Sequence, residues 1–126
     1  MGEIYCLYAS ENGIPHYVGM TEGSAEKRWK KHLTSALDKV SGELYDWMRD
    51  VTRRSGYIDF HVLQAGIIPA DLQFYEEYWI TQFPDLFNVR SNSTPPVAPS
   101  KIGSQVILAI KAKLVIQDEA DARDPS

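Results

Sequence analysis

The sequence has a single cysteine, Cys6, and no long apolar run among its 126 residues. One cysteine excludes an intramolecular disulfide and a cysteine-rich zinc site, and it is typical of a reducing cytoplasm. No apolar stretch approaches the roughly 18 residues that would span a bilayer. The acidic start Met1-Gly2-Glu3 lacks the basic segment of a secretory signal. We therefore expect a cytoplasmic protein with no membrane partner.

The sequence also lacks the basic excess of a strong non-specific DNA binder. Thirteen Lys and Arg stand against 17 Asp and Glu, which gives a net charge of −4. Proteins that bind nucleic acid through its phosphates usually carry the opposite balance. The cations are grouped, however, and a local basic face is compatible with a negative total. One group is Lys27, Arg28, Lys30 and Lys31, and the other is Arg49, Arg53 and Arg54.

The length and the 44% hydrophobic content predict one domain with a real core. Apolar periodicity and turn signals predict the element order β-β-α-α-β-α, followed by a C-terminal helix. This order is typical of an α+β domain with a small, three-stranded, mainly antiparallel sheet flanked by helices. The predicted strands cover 4–9, 16–19 and 57–64, and the predicted helices cover 24–39, 42–55, 69–83 and 104–122.

The sequence divides into two predicted parts. Residues 1–92 form the predicted main domain, and residues 93–126 comprise a Pro/Ser linker, an amphipathic helix and an acidic tail. Local signals predict where several helices begin and end. Ser24 and Ser41 are candidate N-caps, and Gly56 is a candidate C-terminal residue of the second helix.

Glu76 lies within an apolar helical stripe, four residues after Leu72 and four before Ile80. Its neighbour Glu77 falls on the polar face of the same helix. A carboxylate directed toward a core is costly unless it is paired or binds a metal. Periodicity therefore singles out Glu76. The alternative is an ion pair at the domain edge, for instance with Arg28.

Arg28 and His32 are spaced i, i+4, which places them on one helical face. Such a pair can hold a phosphate and shuttle a proton. A solvated basic face is the alternative, and under either interpretation Lys27 and Lys31 could steer a polyanion. Tyr5, Tyr8 and Tyr17 lie on the predicted hairpin, where each is either a functional hydroxyl or part of the core. Core packing is favoured for Tyr8. A tyrosine acts as acid or base only if its pKa, about 10 unperturbed, is lowered.

Short motifs in sequential order resemble those of the GIY-YIG nuclease superfamily. Glu3-Ile4-Tyr5 and Tyr17-Val18-Gly19 flank a turn, and Arg28, His32, Glu76 and Asn88 follow on the expected elements. The resemblance covers residues 1–92. In this sequence Glu3 replaces the first glycine and Val18 replaces isoleucine. Met20 stands where some relatives, including excision-repair nucleases, carry lysine.

The resemblance implies an endonuclease that uses Mg²⁺ or Mn²⁺ to hydrolyse phosphodiester bonds of DNA, with branched DNA and RNA left open. It implies that Glu76 holds the metal, Arg28 neutralises the transition state and His32 assists in proton or phosphate handling. Tyr5 is then the base and Tyr17 a positioning group. The remaining implied substrate-side residues are Gly19, Lys27, Lys31 and Asn88.

Two other functions are compatible with the sequence. One is a non-catalytic nucleic-acid or protein-binding module on the same fold. The other is a protein-interaction domain driven by the apolar C-terminal helix, which could also support a homodimer or bind a partner protein. In that case the deletion of residues 101–126 abolishes partner binding and leaves a folded domain.

Overall fold

The computed structural model describes residues 1–88 and 97–123, with the side chains described as far as Ile116. The predicted boundary at residues 92 and 93 and most of the predicted linker lie outside these residues. The elements are β1 Gly2–Ala9, β2 Pro15–Thr21, α1 Ala25–Leu37, α2 Glu43–Arg53, β3 Ile58–Ile67, α3 Leu72–Ile80 and α4 Lys101–Arg123, with a short 3-10 turn at Pro69–Asp71.

The three strands form one sheet in the order β2-β1-β3, in which both pairings are antiparallel. The predicted α+β class, the three-stranded sheet and the element order are therefore confirmed. β1 is the central strand, and all its residues from Ile4 to Ala9 are buried. A strand with apolar residues on both faces is stable at this position because helices cover both sides of the sheet.

Successive residues of β1 point to opposite faces and so enter two separate cores. Ile4, Cys6 and Tyr8 pack with residues of α3 and α4. Tyr5 and Leu7 pack with residues of α1 and α2. The buried position of Tyr8 agrees with the core packing that was favoured for it from the sequence, and Cys6 is buried in the same core.

Helix α1 begins as predicted, whereas the ends of α2 differ from the prediction. Ser24 is the N-cap of α1, and its hydroxyl accepts a hydrogen bond from the backbone N–H of Lys27 at 3.1 Å. The N-cap of α2 is Gly42, not Ser41, and no side chain caps that end. At its C-terminal end the left-handed residue is Ser55, with φ 66°, one position before the predicted Gly56.

Helix α3 is shorter than predicted. Pro69 opens the 3-10 turn rather than the α-helix, and α3 ends at Ile80, three residues before the predicted end. Its apolar stripe still packs as expected, with Leu72, Trp79 and Ile80 buried in the core it shares with α4.

Helix α4 begins three residues earlier than predicted because Ser100 provides a cap. Its hydroxyl accepts a hydrogen bond from the backbone N–H of Gly103 at 3.0 Å. Ile107 and Ile110 then belong to the same core as Ile4, and Ile110 is fully buried. A chain without residues 101–126 would lose these contacts, so that deletion would disturb the core as well as any partner contact. None of the helices in the described part of the chain is long and apolar enough to cross a membrane.

Candidate functional site

Two neighbouring strands place a pair of tyrosines on the sheet face that α1 and α2 cover. Tyr5 of β1 pairs with Gly19 of β2, and Leu7 pairs with Tyr17. Residues paired across an antiparallel sheet share a face, so the rings of Tyr5 and Tyr17 meet, with centroids 6.3 Å apart. A Cβ on Gly19 would lie 2.6 Å from the Tyr5 hydroxyl. The glycine therefore leaves the space that the Tyr5 ring fills.

His32 of α1 connects the two tyrosines to the helical layer. It is only 5% exposed, and its Nε2 lies 3.0 Å from the Tyr5 hydroxyl. Its Nδ1 lies 3.2 Å from the hydroxyl of Tyr45 on α2. Burial lowers the pKa of His32 to about 4, and the charges of Arg28 and Lys31 act in the same direction. The imidazole is therefore neutral at pH 7, with one nitrogen donating and the other accepting.

Tyr45 was not singled out from the sequence as a site residue. A signal for it exists, because it precedes the buried Met48 by three residues and so shares the inward face of α2.

Arg28 precedes His32 by one helical turn and interacts with the hydroxyls of both tyrosines. Burial raises the pKa of Tyr5 well above its ordinary value, and the neighbouring Tyr17 adds to the rise. Arg28 opposes it through a hydrogen bond and through its positive charge. The guanidinium thus favours the ionised form of a phenol that burial holds protonated.

Glu76 is brought to the same cluster from α3. The residue is 8% exposed, as its place in the apolar stripe predicted. Burial raises the pKa of Tyr17, and the negative charge of Glu76 is the next contribution, whereas Arg28 lowers it. A carboxylate and a guanidinium from two different helices therefore act on one hydroxyl of β2. We call Tyr5, Tyr17, Arg28, His32 and Glu76 the site cluster.

The site cluster is compatible with a hard divalent cation, although its carboxylate content is small. Among the described residues, no three His, Cys, Asp or Glu side chains gather as a metal-binding group. Mg²⁺ does not require such a cage, because it keeps several waters and is commonly bound through one or two carboxylates together with substrate phosphates. The buried carboxylate of Glu76 fits that donor set.

Asn88 fixes the segment after α3 to the edge strand β2. Its side-chain oxygen accepts a hydrogen bond from the backbone N–H of Val18 at 3.3 Å, and its side-chain nitrogen donates to the carbonyl of the same residue. The amide is thus engaged by backbone beside Tyr17 and Gly19. Asn88 has the geometry of a residue that orders the site cluster.

Glu3, the residue that replaces glycine in the first motif, caps helix α1. Its carboxylate oxygen Oε1 accepts a hydrogen bond from the backbone N–H of Ala25 at 2.7 Å. A carboxylate at a helix N-terminus is favourable because it meets unpaired N–H groups and the positive end of the helix dipole. Sequence reasoning missed this role. The signal was its spacing, since Glu3 lies two residues before Tyr5 and therefore shares its sheet face.

The two lysines assigned to the substrate side lie on the outer surface of α1. Lys27 and Lys31 are exposed and are separated by one helical turn. Each is adjacent in sequence to a member of the site cluster, and the charge of Lys31 contributes to the low pKa of His32. They provide positive charge at the surface nearest to the site cluster.

A separate cleft of about 370 Å³ opens elsewhere, between α1 and α2. Its lining is mainly apolar and includes Leu33, Leu37, Met48 and Ile58. None of the predicted site residues lines it. It is therefore distinct from the site cluster.

No protein-family model, curated protein or solved structure matches this chain significantly. What the protein does must therefore be inferred from the chemistry of its own side chains. Most of that chemistry lies in the site cluster, which contains a guanidinium, a carboxylate, an imidazole and two phenols.

Proposed function

We propose that the protein is a metal-dependent endonuclease of the GIY-YIG type, which hydrolyses phosphodiester bonds of DNA. The observation that carries this proposal is the cluster in which the Tyr5 hydroxyl lies 3.0 Å from His32 Nε2 and the Tyr17 ring packs against both residues, with the charges of Glu76 and Arg28 acting on Tyr17. Two opposite charges at one polar hydroxyl suit a reaction in which a phosphate gains negative charge and water loses a proton. The resemblance of the two tyrosine motifs to that superfamily supports the same proposal.

Arg28 is the group suited to the phosphate. A guanidinium offers several N–H donors in a fixed plane and pairs with two phosphate oxygens at once. In a site shielded from water it stabilises the charge that develops as the fifth phosphorus–oxygen bond forms. Glu76 would hold Mg²⁺ or Mn²⁺, which when bound supplies further stabilisation of that charge.

Tyr5 and His32 provide a path for the proton of the attacking water. Because the pKa of Tyr5 is raised, its phenolate is scarcely populated at pH 7, so a preformed phenolate does not serve as the base. His32 is neutral, and its Nε2 lies 3.0 Å from the Tyr5 hydroxyl. Tyr5 can therefore take a proton from water while its own proton passes to Nε2. The water oxygen bonds to phosphorus, and the bond to the leaving oxygen breaks.

Tyr17 and Tyr45 are then positioning residues. The hydroxyl of Tyr45 lies 3.2 Å from Nδ1 of His32 and holds the ring in place. Tyr17 packs edge-on against the same imidazole, with ring centroids 5.2 Å apart. These contacts limit the rotation of His32 and keep Nε2 directed at Tyr5.

A non-catalytic module on the same fold is the second candidate. Its support is that burial keeps both Tyr5 and His32 uncharged at pH 7, as in a hydrogen-bond network that only holds β1 and α1 together. Such a module would need the same bonds but no metal. The two candidates therefore differ in whether a metal ion and Glu76 produce strand breaks.

Nicking of supercoiled plasmid decides between them. The protein is incubated with Mg²⁺, with Mn²⁺ and with EDTA, and Glu76→Gln is compared with Glu77→Gln. Glu77 is the matched control because it is the next residue of α3 and is exposed. We expect metal-dependent nicking that Glu76→Gln reduces by about 100-fold or more, the usual loss when an electrostatic group of a site is removed. Glu77→Gln should retain it.

The opposite result is equally clear. If plasmid, branched DNA and RNA all stay intact with either metal ion while the protein remains folded, the endonuclease proposal fails and the binding module is favoured. Nicking that persists in Glu76→Gln would also contradict the assignment of this carboxylate.

A further inference from the structure

Three aromatic rings meet at the outer edge of the sheet, beside the site cluster. His16 of β2 and Trp47 of α2 have ring centroids 4.9 Å apart. Phe87, in the segment after α3, lies 5.6 Å from each of them and is nearly parallel to His16, with an interplanar angle of 29°. We call His16, Trp47 and Phe87 the aromatic edge.

The aromatic edge is held in place by backbone contacts. The N–H of Phe87 donates to the carbonyl of His16 at 2.8 Å. The Nδ1–H of His16 donates to the carbonyl of Asp85 at 2.7 Å. The rings are therefore oriented before any ligand arrives, which lowers the entropy cost of binding.

These rings are accessible and lie largely outside the two cores. Phe87 is 36% exposed, and His16 and Trp47 are partly exposed. Only Trp47 also packs against the core of α1 and α2, while His16 and Phe87 belong to neither core. Three preoriented ring systems at the surface offer π-faces to a flat, uncharged ligand.

Each ring is close in sequence to a residue of the proposed site. His16 precedes Tyr17, Phe87 precedes Asn88, and Trp47 follows Tyr45 by two residues. Asn88 joins Val18 through both groups of its amide, so the Phe87 segment runs alongside β2 at the site. The aromatic edge and part of the site cluster therefore share the strand β2, which carries both His16 and Tyr17.

The net charge of the protein indicates which interactions can hold a nucleic acid at the aromatic edge. The net charge is −4, so phosphate contacts alone give little non-specific affinity. Stacking of bases on aromatic side chains is independent of that charge and is available only to bases that are not already stacked in a duplex. Unpaired bases next to a phosphodiester therefore fit both the rings and the charge balance.

We infer that the aromatic edge binds unpaired nucleobases, so that the preferred substrate is single-stranded nucleic acid or the unpaired part of a branched structure. This inference rests on the proposed function, because it places the bound strand at the site cluster. It adds a substrate class that the site cluster alone does not specify. The rings would contact only the bases, so other contacts would decide between deoxyribose and ribose.

Binding of a fluorescein-labelled oligothymidylate, followed by anisotropy in EDTA, tests the inference without cleavage. The expected result is tighter binding of the single strand than of a duplex of equal length. Phe87→Ala should weaken it at least about 5-fold, the lower end for loss of one stacked base. An oligouridylate serves as the ribose arm, and tight binding of either single strand supports the inference.

Matched variants separate stacking from simple packing. Phe87→Tyr keeps a ring and should bind like the original protein, whereas Phe87→Leu keeps apolar bulk and should bind as weakly as Phe87→Ala. Phe74→Ala is the control, since Phe74 is a 67% exposed phenylalanine on α3. Because Phe87→Leu and Phe87→Tyr both retain volume, they decide the question even if Phe87→Ala unfolds.

Three outcomes would overturn the inference: unimpaired binding by Phe87→Leu, tighter binding of the duplex, or no binding of either single strand. None of these depends on hydrolysis. Binding with the expected variant pattern, but without cleavage of plasmid, branched DNA or RNA, would leave the aromatic edge intact and refute the endonuclease. Nicking lost in Glu76→Gln, together with unaltered binding by Phe87→Leu, would support the endonuclease and refute base binding by the aromatic edge.

Discussion

Tyr5 and Tyr8 belong to the same strand and are both fully buried, yet they face opposite sides of the sheet. Burial raises the pKa of both. On the α3 and α4 side, the carboxylate of Asp59 accepts a hydrogen bond from Tyr8 at 3.3 Å and raises its pKa further. On the α1 and α2 side, Arg28 lowers the pKa of Tyr5, whose hydroxyl meets a neutral imidazole.

The difference between the two tyrosines lies in their partners and not in their burial. An acidic partner holds the Tyr8 proton in place, so Tyr8 serves as a structural anchor between β1 and β3. The cation Arg28 makes the release of the Tyr5 proton easier, and a neutral imidazole stands 3.0 Å from the same hydroxyl. Of the two tyrosines, it is therefore the one on the α1 and α2 face that has a guanidinium and an imidazole at its hydroxyl.

Removal of the Tyr5 hydroxyl and of the Tyr8 hydroxyl, each in a separate variant, should give the largest difference in nicking activity. Tyr5→Phe is expected to reduce metal-dependent plasmid nicking by about 100-fold or more, as loss of a general acid–base group does. Tyr8→Phe should leave nicking within about twofold and cost roughly 1 kcal/mol of stability, the value of one ordinary hydrogen bond. Nicking rates and urea unfolding of both variants measure this contrast. Equal loss of nicking in both variants would show that the two faces do not differ in function.

The second prediction concerns acid and His32. Its pKa is about 4 in the folded protein and about 6.5 in an unfolded chain, so the unfolded state binds the proton first. The stability contributed by His32 is complete above pH 6.5 and is lost as the pH falls toward 4. The pKa difference corresponds to a loss of about 3 kcal/mol.

Urea unfolding at pH 7, 5 and 4 measures this loss. His32→Gln should flatten the acid decline, because glutamine does not titrate. His61→Gln is the matched control. Burial lowers the pKa of His61 as well, but this histidine lies on the other face of the sheet and does not contact Tyr5, so its removal should leave the acid decline that His32 causes. If His32→Gln and the original protein lose stability in parallel, His32 is not the buried titrating group.

The smallest expected effect concerns the room for the Tyr5 ring. Gly19→Ala places a Cβ 2.6 Å from the Tyr5 hydroxyl, so the Tyr5 ring must shift. Overpacking of this kind costs about 1–3 kcal/mol. Gly23→Ala is the control, because its nearest neighbour is a Thr21 oxygen at 3.7 Å. Unfolding midpoints and nicking rates should change for Gly19→Ala alone, and an unchanged Gly19→Ala variant would contradict the tight fit.

Local sequence signals predicted much of the fold. A short apolar and aromatic run placed β1, alternation placed β3, the Asn12-Gly13 turn placed the hairpin, and Ser24 placed the start of α1. The predicted ends of α2 and α3 were wrong by one to three residues, because apolar periodicity fixes the face of a helix but not the residue at which it begins or ends. Ser55 rather than Gly56 takes the left-handed conformation, and Pro69 opens a 3-10 turn that leads into α3.

The candidate site, like the fold, was predicted only in part from the sequence. Helical periodicity alone identified Glu76 as an inward-facing carboxylate and put Arg28 and His32 on one face, because these patterns depend only on the geometry of a single helix. Tyr45, the Glu3 cap and the aromatic edge required the tertiary structure. Each joins groups from separate segments of the chain, and the distance between two segments is set by how they pack. The spacing of residues along the sequence does not contain that distance.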